Sequence, residues 1–329
     1  MNLSRKLLSI PFITLLSALF LITSCLKESS PRRSNRRADT YKNLQYGTNT
    51  DINANKQVDL KLDVYVPAGA ADNQTFPMVL YVHGGGFSEG NKEDASALML
   101  KFVDSGFVAV SIDYRLIPED GSSPCTVDPQ QTEYASYMAV QDTKAALRYM
   151  VANAAAYHVD ASKIFLSGNS AGAVTVLNTV YLSQSDFSNM IPGVETRLGS
   201  LDNATNSLTN TYTIRGIAAN SGCLPDPAYI TALNVVPMIF FHGEKDEVIP
   251  VDKGHTYGCD NTPFVYGSES LYTKASMLET AVVAHIDPAG SHLPYNSNFL
   301  AINESCFFSS ILNGAPESGY YTGNESSCR

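Results

Sequence analysis

Apolar and polar residues follow two different periods along this chain, with short polar turns between them. Mostly apolar runs, typical of buried strands, occur at 78–82, 107–115, 163–166, 213–219, 237–241 and 281–286. Alternating apolar and polar residues predict a half-buried antiparallel strand at 58–67. Helical spacing predicts helices near 94–105, 133–157, 171–182, 271–280 and 298–312. Strands that alternate with helices form a mostly parallel sheet covered on both faces, so we predict an α/β domain over residues 45–329.

The first 25 residues have the pattern of an export signal. Arg5 and Lys6 precede an apolar run that is short for a membrane span, and the run ends in Ile22-Thr23-Ser24-Cys25. This ending is similar to a bacterial lipobox, in which Cys25 would become the lipidated first residue of the mature protein. A plain secretory peptide and an uncleaved anchor are the alternatives. We expect a chain that acts outside the cytoplasm, held by a lipid anchor in the bacterial outer membrane.

Two further segments lack the apolar periodicity. Residues 26–44 are polar and basic, with nothing to bury, which predicts a flexible tether between the lipid and the domain. Residues 184–212 are polar and rich in Ser, Asn and Thr. A segment of this length predicts an insertion that forms a lid or rim.

Charge and cysteine content exclude several classes of function. A net charge of −10 argues against a nucleic-acid partner, because phosphate binding needs a basic face. The six cysteines include Cys25, and the other five can form disulfides outside the cytoplasm, although their pairing cannot be deduced from sequence. Their spacing argues against a structural zinc site. We expect no metal and no cofactor.

The strongest chemical signal is the pentapeptide Gly168-Asn169-Ser170-Ala171-Gly172 between a predicted strand and a predicted helix. A sharp strand-to-helix turn there would expose the hydroxyl of Ser170 near the helix N-terminus. A Gly/Ser-rich loop without chemistry is the alternative. In its structural context, the motif predicts that Ser170 is a nucleophile.

A serine nucleophile needs a base and an acid that orients the base. His292 follows the last predicted strand and is our candidate base. The other histidines are weaker candidates. His285 lies within a predicted strand, and His83 and His242 precede loop glycines. His158 and His255 lie near helix ends or in loops. Asp246 follows the strand at 237–241 and is our candidate acid. Glu244 and Asp252 are its rivals, and a plain turn residue is the alternative role for Asp246.

The reaction also needs N–H donors for the oxyanion that develops on the attacked carbonyl. His83-Gly84-Gly85-Gly86-Phe87 follows a buried strand, and its glycines allow backbone amides to approach a substrate oxygen. We predict an oxyanion hole formed by the amides of Gly85, Gly86 and Ala171.

Together these residues resemble the α/β-hydrolase carboxylesterases of the hormone-sensitive-lipase-like superfamily, over residues 58–312. The motifs that carry the resemblance are His83-Gly84-Gly85-Gly86-Phe87, Asp113-Tyr114-Arg115-Leu116, Gln141-Asp142, the pentapeptide around Ser170, His242-Gly243-x-x-Asp246 and Gly290-Ser291-His292. The resemblance implies an eight-stranded, mostly parallel sheet and hydrolysis of a carboxylic ester through an acyl-enzyme. The short segment before the first strand leaves no room for a large helical cap, which favours the branch with small carboxylesterases and acetyl xylan or feruloyl esterases. Ala173 and Ser291 stand where many members have Gly.

We therefore expect a serine esterase that cleaves short-chain or aromatic esters. By family analogy, its substrate is a small ester or an acylated carbohydrate of plant polysaccharide. A catalytically silent surface-binding protein with this fold is one alternative, and an amidase or peptidase that uses the same three residues is another. The sequence does not determine the acyl group, the alcohol or the oligomeric state.

Overall fold

The computed structural model describes residues 37–51, 56–117, 125–126 and 128–328. The predicted signal segment with Cys25 and residues 26–36 of the predicted tether lie outside these residues. In the part that is described, no helix is both long and apolar enough to cross a membrane.

The described residues form eleven strands and seven α-helices. The strands are β1 (Ala38–Thr50), β2 (Gln57–Pro67), β3 (Phe76–Val82), β4 (Val108–Ile112), β5 (Val159–Asn169), β6 (Ile214–Asn220), β7 (Met238–Gly243), β8 (Lys253–His255), β9 (Phe264–Tyr266), β10 (Val282–Asp287) and β11 (Gly319–Thr322). The α-helices are α1 (Ser96–Asp104), α2 (Pro129–Ala152), α3 (Ala171–Tyr181), α4 (Gln184–Met190), α5 (Val194–Leu198), α6 (Ser268–Met277) and α7 (Ser297–Leu312). Short 3-10 turns lie at Lys92–Ala95, Pro227–Tyr229 and Thr256–Gly258.

Nine of the described strands form the main sheet, in the order β1-β2-β4-β3-β5-β6-β7-β10-β11. Strand β2 pairs antiparallel with both β1 and β4, and every other pair in this sheet is parallel. Strands β8 and β9 form a separate antiparallel hairpin. Parallel strands share one carboxyl edge, so the loops after β3, β5, β6, β7 and β10 begin at the same edge of the sheet.

Two hydrophobic cores cover the two faces of the sheet. Because successive side chains of a strand point to opposite faces, neighbours such as Val79 and Leu80 belong to different cores. Helices α1 and α7 pack on one face, where Phe165 stacks on Phe308 with ring centroids 4.4 Å apart. Helices α2, α3 and α6 contribute their buried side chains to the other core. This arrangement confirms the predicted layers.

Two polar edge strands differ from the sequence prediction. Strand β1 begins at Ala38, so residues 38–44 belong to the sheet rather than to the tether, and β11 lies in the polar segment after α7, where no strand was predicted. The main sheet therefore has nine strands instead of eight. An edge strand is held mainly by its hydrogen-bond ladder and needs few apolar residues, which is why the hydropathy pattern did not reveal it. In β1, only Tyr46 is fully buried.

Helix α2 begins earlier than the predicted residue 133. Asp128 caps it by accepting a hydrogen bond from the Gln130 amide, and Pro129 occupies the first turn. This Asp-Pro pair is a common helix start, since proline lacks the amide hydrogen that the first turn leaves unpaired.

The segment 184–212 contains helices α4 and α5 and packs along α2. The side-chain amide of Gln141 donates to the carbonyls of Leu198, Gly199 and Ser200 at 3.0–3.1 Å. The Thr205 hydroxyl donates to Asp142 at 2.8 Å. These contacts attach the segment to α2, and its role as a lid or rim stays a prediction.

The structure determines the cysteine pairing that the sequence left open. Disulfides join Cys125 to Cys259 and Cys306 to Cys328. Among the described cysteines, Cys223 is unpaired and buried. Burial, followed by the nearby charge of Asp246, raises the pKa of its thiol to about 12, so the thiol stays protonated and unreactive at neutral pH.

Candidate active site

Ser170 occupies a tight turn between the end of β5 and the start of α3. Its backbone angles are φ +50° and ψ −123°, an unfavourable conformation for a residue with a side chain. The flanking glycines make the turn possible. A Cβ on Gly168 would lie 2.5 Å from the carbonyl oxygen of Gly172, and one on Gly172 would lie 2.0 Å from that of Val82. The predicted elbow is therefore present, and its strain is stored at the serine.

His292 connects Ser170 to Asp246. It lies in the loop after β10, with Nε2 2.8 Å from Ser170 Oγ and Nδ1 2.7 Å from Asp246 Oδ2. A carboxylate can only accept, so Nδ1 carries the proton and Nε2 accepts from the serine hydroxyl. The structure thus brings the three predicted residues into one hydrogen-bonded chain, in the geometry that activates a serine.

The carboxylate of Asp246 is buried and held on both oxygens. Its Oδ1 accepts from the amides of Val248 and Ile249 at 2.8 and 2.9 Å. Burial raises the pKa of Asp246, but hydrogen bonds from His242, His292 and the Ile249 amide outweigh burial and keep the pKa well below its usual value. Asp246 is therefore ionised at neutral pH.

The glycine loop after β3 lies beside the elbow. Gly85 and Gly86 have φ of +108° and +58°, and a Cβ on Gly85 would lie 2.2 Å from the Glu89 carbonyl oxygen. A Cβ on Gly84 would lie 3.2 Å from Ser170 Cβ, which shows how closely loop and elbow approach. Within the described part of the chain, the amides of Gly85, Gly86 and Ala171 have no hydrogen-bond acceptor. Three N–H groups near the serine can thus receive a substrate oxygen.

Comparison with solved structures identifies the architecture. A truncated carbohydrate esterase from gut microbiota superposes with a TM-score of 0.56 at 18% identity, covering 85% of this chain and 98% of that one. A lipase/esterase from Lactobacillus plantarum gives 0.51 at 17% identity, covering 85% and 97%. The propionate-bound esterase 2 of Thermogutta terrifontis gives 0.51 at 19%, covering 78% and 85%. The fold is that of the α/β-hydrolases.

Sequence comparisons match the half of the chain around the elbow. A family model described as BD-FAE matches residues 62–224, just under half of the chain. Carboxylesterase NlhH of Mycobacterium tuberculosis is 36% identical over 115 residues, which are 35% of this chain and 31% of NlhH. Esterase LipI of the same organism is 30% identical over 125 residues, 35% of each chain. The chain thus spans about a third of the length of these curated relatives.

His242 also contacts the carboxylate of Asp246, on the same oxygen as His292. Its Nε2 lies 3.1 Å from Asp246 Oδ2 and 3.0 Å from the Ile249 carbonyl oxygen, so Nε2 carries a proton. Its Nδ1 lies 2.7 Å from Ser268 Oγ, within hydrogen-bond distance of that hydroxyl. Sequence reasoning assigned His242 to loop architecture and missed this contact. Its position four residues before Asp246, in His-Gly-x-x-Asp, was the available signal.

The glycine loop has its own support. The Nδ1 of His83 donates to the Gly84 carbonyl at 2.7 Å, and the ring stacks on Tyr114 with centroids 4.4 Å apart. Tyr114 in turn donates its hydroxyl to the His83 carbonyl at 3.0 Å. Burial lowers the pKa of His83, which keeps the ring neutral. Next to Tyr114 in the chain, buried Arg115 forms a salt bridge with Asp142. This pair joins the two motifs Asp113-Tyr114-Arg115-Leu116 and Gln141-Asp142.

The remaining candidate residues lie elsewhere. His285 is buried between Phe241 and Tyr321, as expected for a packed histidine, and burial lowers its pKa to about 4. The rival acid Asp252 accepts from Ser270, while Asp246 makes the contact to His292. Cys25 lies outside the described residues. Among the residues described, no cluster of three or more His, Cys, Asp or Glu side chains could hold a metal ion.

Proposed function

We propose that this protein is a serine esterase that hydrolyses short-chain or aromatic carboxylic esters through an acyl-enzyme intermediate. One observation carries the proposal: the chain from Asp246 through His292 to Ser170 ends beside three backbone amides that have no other described acceptor. This arrangement supports the roles that we propose for these groups as nucleophile, base, orienting acid and oxyanion donors.

The geometry supports the following first half of the reaction. Ser170 Oγ attacks the ester carbonyl carbon while His292 Nε2 takes the hydroxyl proton. The carbonyl oxygen becomes an oxyanion and accepts from the amides of Gly85, Gly86 and Ala171. When the tetrahedral intermediate collapses, the C–O bond to the alcohol breaks and His292 returns its proton to the leaving oxygen. Ser170 then carries the acyl group as a new ester.

Water completes the cycle by the same steps. His292 takes a proton from water, the hydroxide oxygen bonds to the acyl carbon, and the second intermediate expels Ser170 Oγ, which regains the proton. The products are a carboxylic acid and free enzyme. Asp246 stays ionised throughout and stabilises the imidazolium that forms twice per turnover. One oxyanion donor is typically worth ~10²–10³ in turnover.

Comparisons with named proteins support the choice of an ester bond. The matched relatives include a carboxylesterase and an esterase, and the superposed structures include a carbohydrate esterase. We extend the proposal to a plant polysaccharide as the bearer of the acyl group, and to a lipid anchor at Cys25 that holds the enzyme at a bacterial outer membrane. A membrane-bound position would keep the products of such a reaction near the cell.

Replacing the nucleophile tests the central step. Ser170→Ala should abolish hydrolysis of p-nitrophenyl acetate and labelling by a fluorophosphonate probe, while the variant keeps the melting temperature of the wild type. A wild-type protein that the probe does not label would instead be a silent binding protein. Retained turnover in the variant would refute the assignment of Ser170. A panel of acetyl, butyryl and feruloyl esters, acetylated xylan and a matched anilide identifies the acyl group and separates an esterase from an amidase.

A further inference from the structure

The hairpin of β8 and β9, residues 253–266, is attached to the surroundings of the site at three places. The Tyr257 amide donates to the Val248 carbonyl at 2.8 Å, in the loop that carries Asp246. Tyr266 exchanges two backbone hydrogen bonds with Leu224, just past β6. Cys259 forms the disulfide to Cys125, in the loop between β4 and α2. The hairpin is thus linked to three of the loops that follow the carboxyl ends of the strands.

Tyr257 reaches from this hairpin to the glycine loop. Its hydroxyl oxygen lies 3.9 Å from the place that a Cβ on Gly86 would occupy. Tyr257 is 42% exposed, so part of the residue faces solvent. Its backbone has φ +56° and ψ 12°, a left-handed conformation that costs a bulky residue free energy. The hairpin keeps an aromatic residue there in spite of that cost.

We propose that Tyr257 is a substrate-contacting residue that borders the oxyanion hole, and that the Cys125–Cys259 disulfide holds it in place. This inference rests on the proposed esterase activity. An ester oxygen that accepts from the Gly86 amide lies next to Gly86, where the absence of a side chain leaves room for substrate. Ser88 Oγ and the Tyr257 hydroxyl oxygen are the described atoms nearest to the place of the missing Cβ, at 3.8 and 3.9 Å. The phenol of Tyr257 can donate or accept a hydrogen bond, and its ring offers an apolar edge.

The disulfide adds a covalent restraint to the backbone hydrogen bonds that attach the hairpin at Val248 and Leu224. Cys259 is two residues from Tyr257, and its partner lies 134 residues away in sequence. Asn261 reinforces the link, because its side-chain amide donates to the Cys125 carbonyl. Cutting the link should give the Tyr257 side chain more freedom and withdraw the phenol from Gly86. The bond from the Tyr257 amide to the Val248 carbonyl should still keep the loop of Asp246 in place.

Substitution of Tyr257 gives the first test. Tyr257→Phe removes one hydroxyl and should lower kcat/KM for p-nitrophenyl acetate by about 3- to 10-fold, as expected for one hydrogen bond. Tyr257→Ala should in addition change a ratio of kcat/KM values at least several-fold, either between butyrate and acetate esters or between esters of different alcohols. The ratio that changes shows whether the ring contacts the acyl side or the alcohol side of the ester. Tyr320→Phe, at an equally exposed tyrosine on β11, is the control. Parallel loss on every ester, or no loss, would overturn the proposal.

The disulfide gives the second test. Cys125→Ser with Cys259→Ser should reproduce the selectivity change of Tyr257→Ala, and the triple variant should show no further change, since both act through one contact. The control is Cys306→Ser with Cys328→Ser, which removes the other disulfide and should leave the selectivity unchanged. Additive effects would refute the link. If the disulfide variant does not fold, the Tyr257→Phe and Tyr257→Ala ratios decide.

Failure of this inference differs from failure of the proposed function. If Ser170 is no nucleophile, the wild-type protein neither hydrolyses p-nitrophenyl acetate nor reacts with a fluorophosphonate. If the wild type reacts and the Tyr257 variants keep its rates and ratios, the esterase proposal stands and the role of Tyr257 is refuted.

Discussion

Removal of the His242 imidazole tests whether its hydrogen bond to the Asp246 carboxylate contributes to catalysis. His242 is fully buried, and its Nε2 lies 3.1 Å from the same Asp246 oxygen that accepts from His292. In His242→Leu, this oxygen loses one of its two side-chain donors. The carboxylate can then rotate away from His292 more easily, so the imidazole is less well oriented towards Ser170.

The size of the effect follows from the hydrogen bond that is lost. A hydrogen bond to a charged group contributes ~1.5–3 kcal/mol. Because the Nε2 proton of His242 is shared with the Ile249 carbonyl, at 3.0 Å, the lower end applies. About 1.5 kcal/mol corresponds to about a 10-fold lower kcat/KM. His242→Gln keeps an N–H donor near the Nε2 position and should recover most of the loss.

The assay is hydrolysis of p-nitrophenyl acetate by variants whose melting curves show a folded protein. His285→Leu, which removes another buried histidine outside the hydrogen-bonded chain, is the control and should keep the wild-type rate. In an Asp246→Ala background, His242→Leu should have no further effect. A His242→Leu variant within about twofold of the wild type, or a Gln variant as slow as the Leu variant, would refute the reasoning.

Two further predictions concern stability. Burial raises the pKa of Glu304 to about 8 in the folded protein. In an unfolded chain the pKa of a glutamate is ~4.3. Between these two pH values, the folded state therefore keeps a proton that the unfolded state releases. The stability of the wild type should therefore fall as the pH rises through this window. The melting temperature of Glu304→Gln should rise relative to that of the wild type from pH 5 to pH 8. A difference in melting temperature that stays constant over this range would contradict the prediction. Cys306 and Cys328 are 22 residues apart, and removal of their disulfide should lower the free energy of unfolding in urea by about 3 kcal/mol. The kcat/KM should not change. A loss of activity equal to that of a Cys259 variant would contradict this prediction.

Features with a local cause could be predicted from the sequence. The elbow around Ser170 depends on two glycines and on the change from strand to helix within a few residues, and both are visible in the residue order. The buried strands β3, β7 and β10 are marked by apolar runs, which end where Gly85, Asp246 and His292 follow. Because parallel strands share a carboxyl edge, their ends could be expected to meet.

Features that depend on pairing between distant segments could not be predicted from the sequence. Strand β1 is stabilised by its ladder with β2, and β11 by its ladder with β10, so neither needs an apolar pattern of its own. The contact of His242 with Asp246 depends on the path of the loop after β7. The position of Tyr257 beside Gly86 depends on a disulfide whose partners could not be assigned from spacing.

The sequence by itself determined the order of the buried strands and of the longer helices, the residue at the elbow and the residue types that follow the buried strands. These depend on periodicity and on backbone freedom at glycine, which are properties of neighbours in the chain. The tertiary structure decided the 2.7 and 2.8 Å contacts of His292, the support from His242, the cysteine pairs and the approach of Tyr257 to the glycine loop. These depend on distances between segments far apart in sequence, and such distances exist only after the cores on both faces of the sheet have packed.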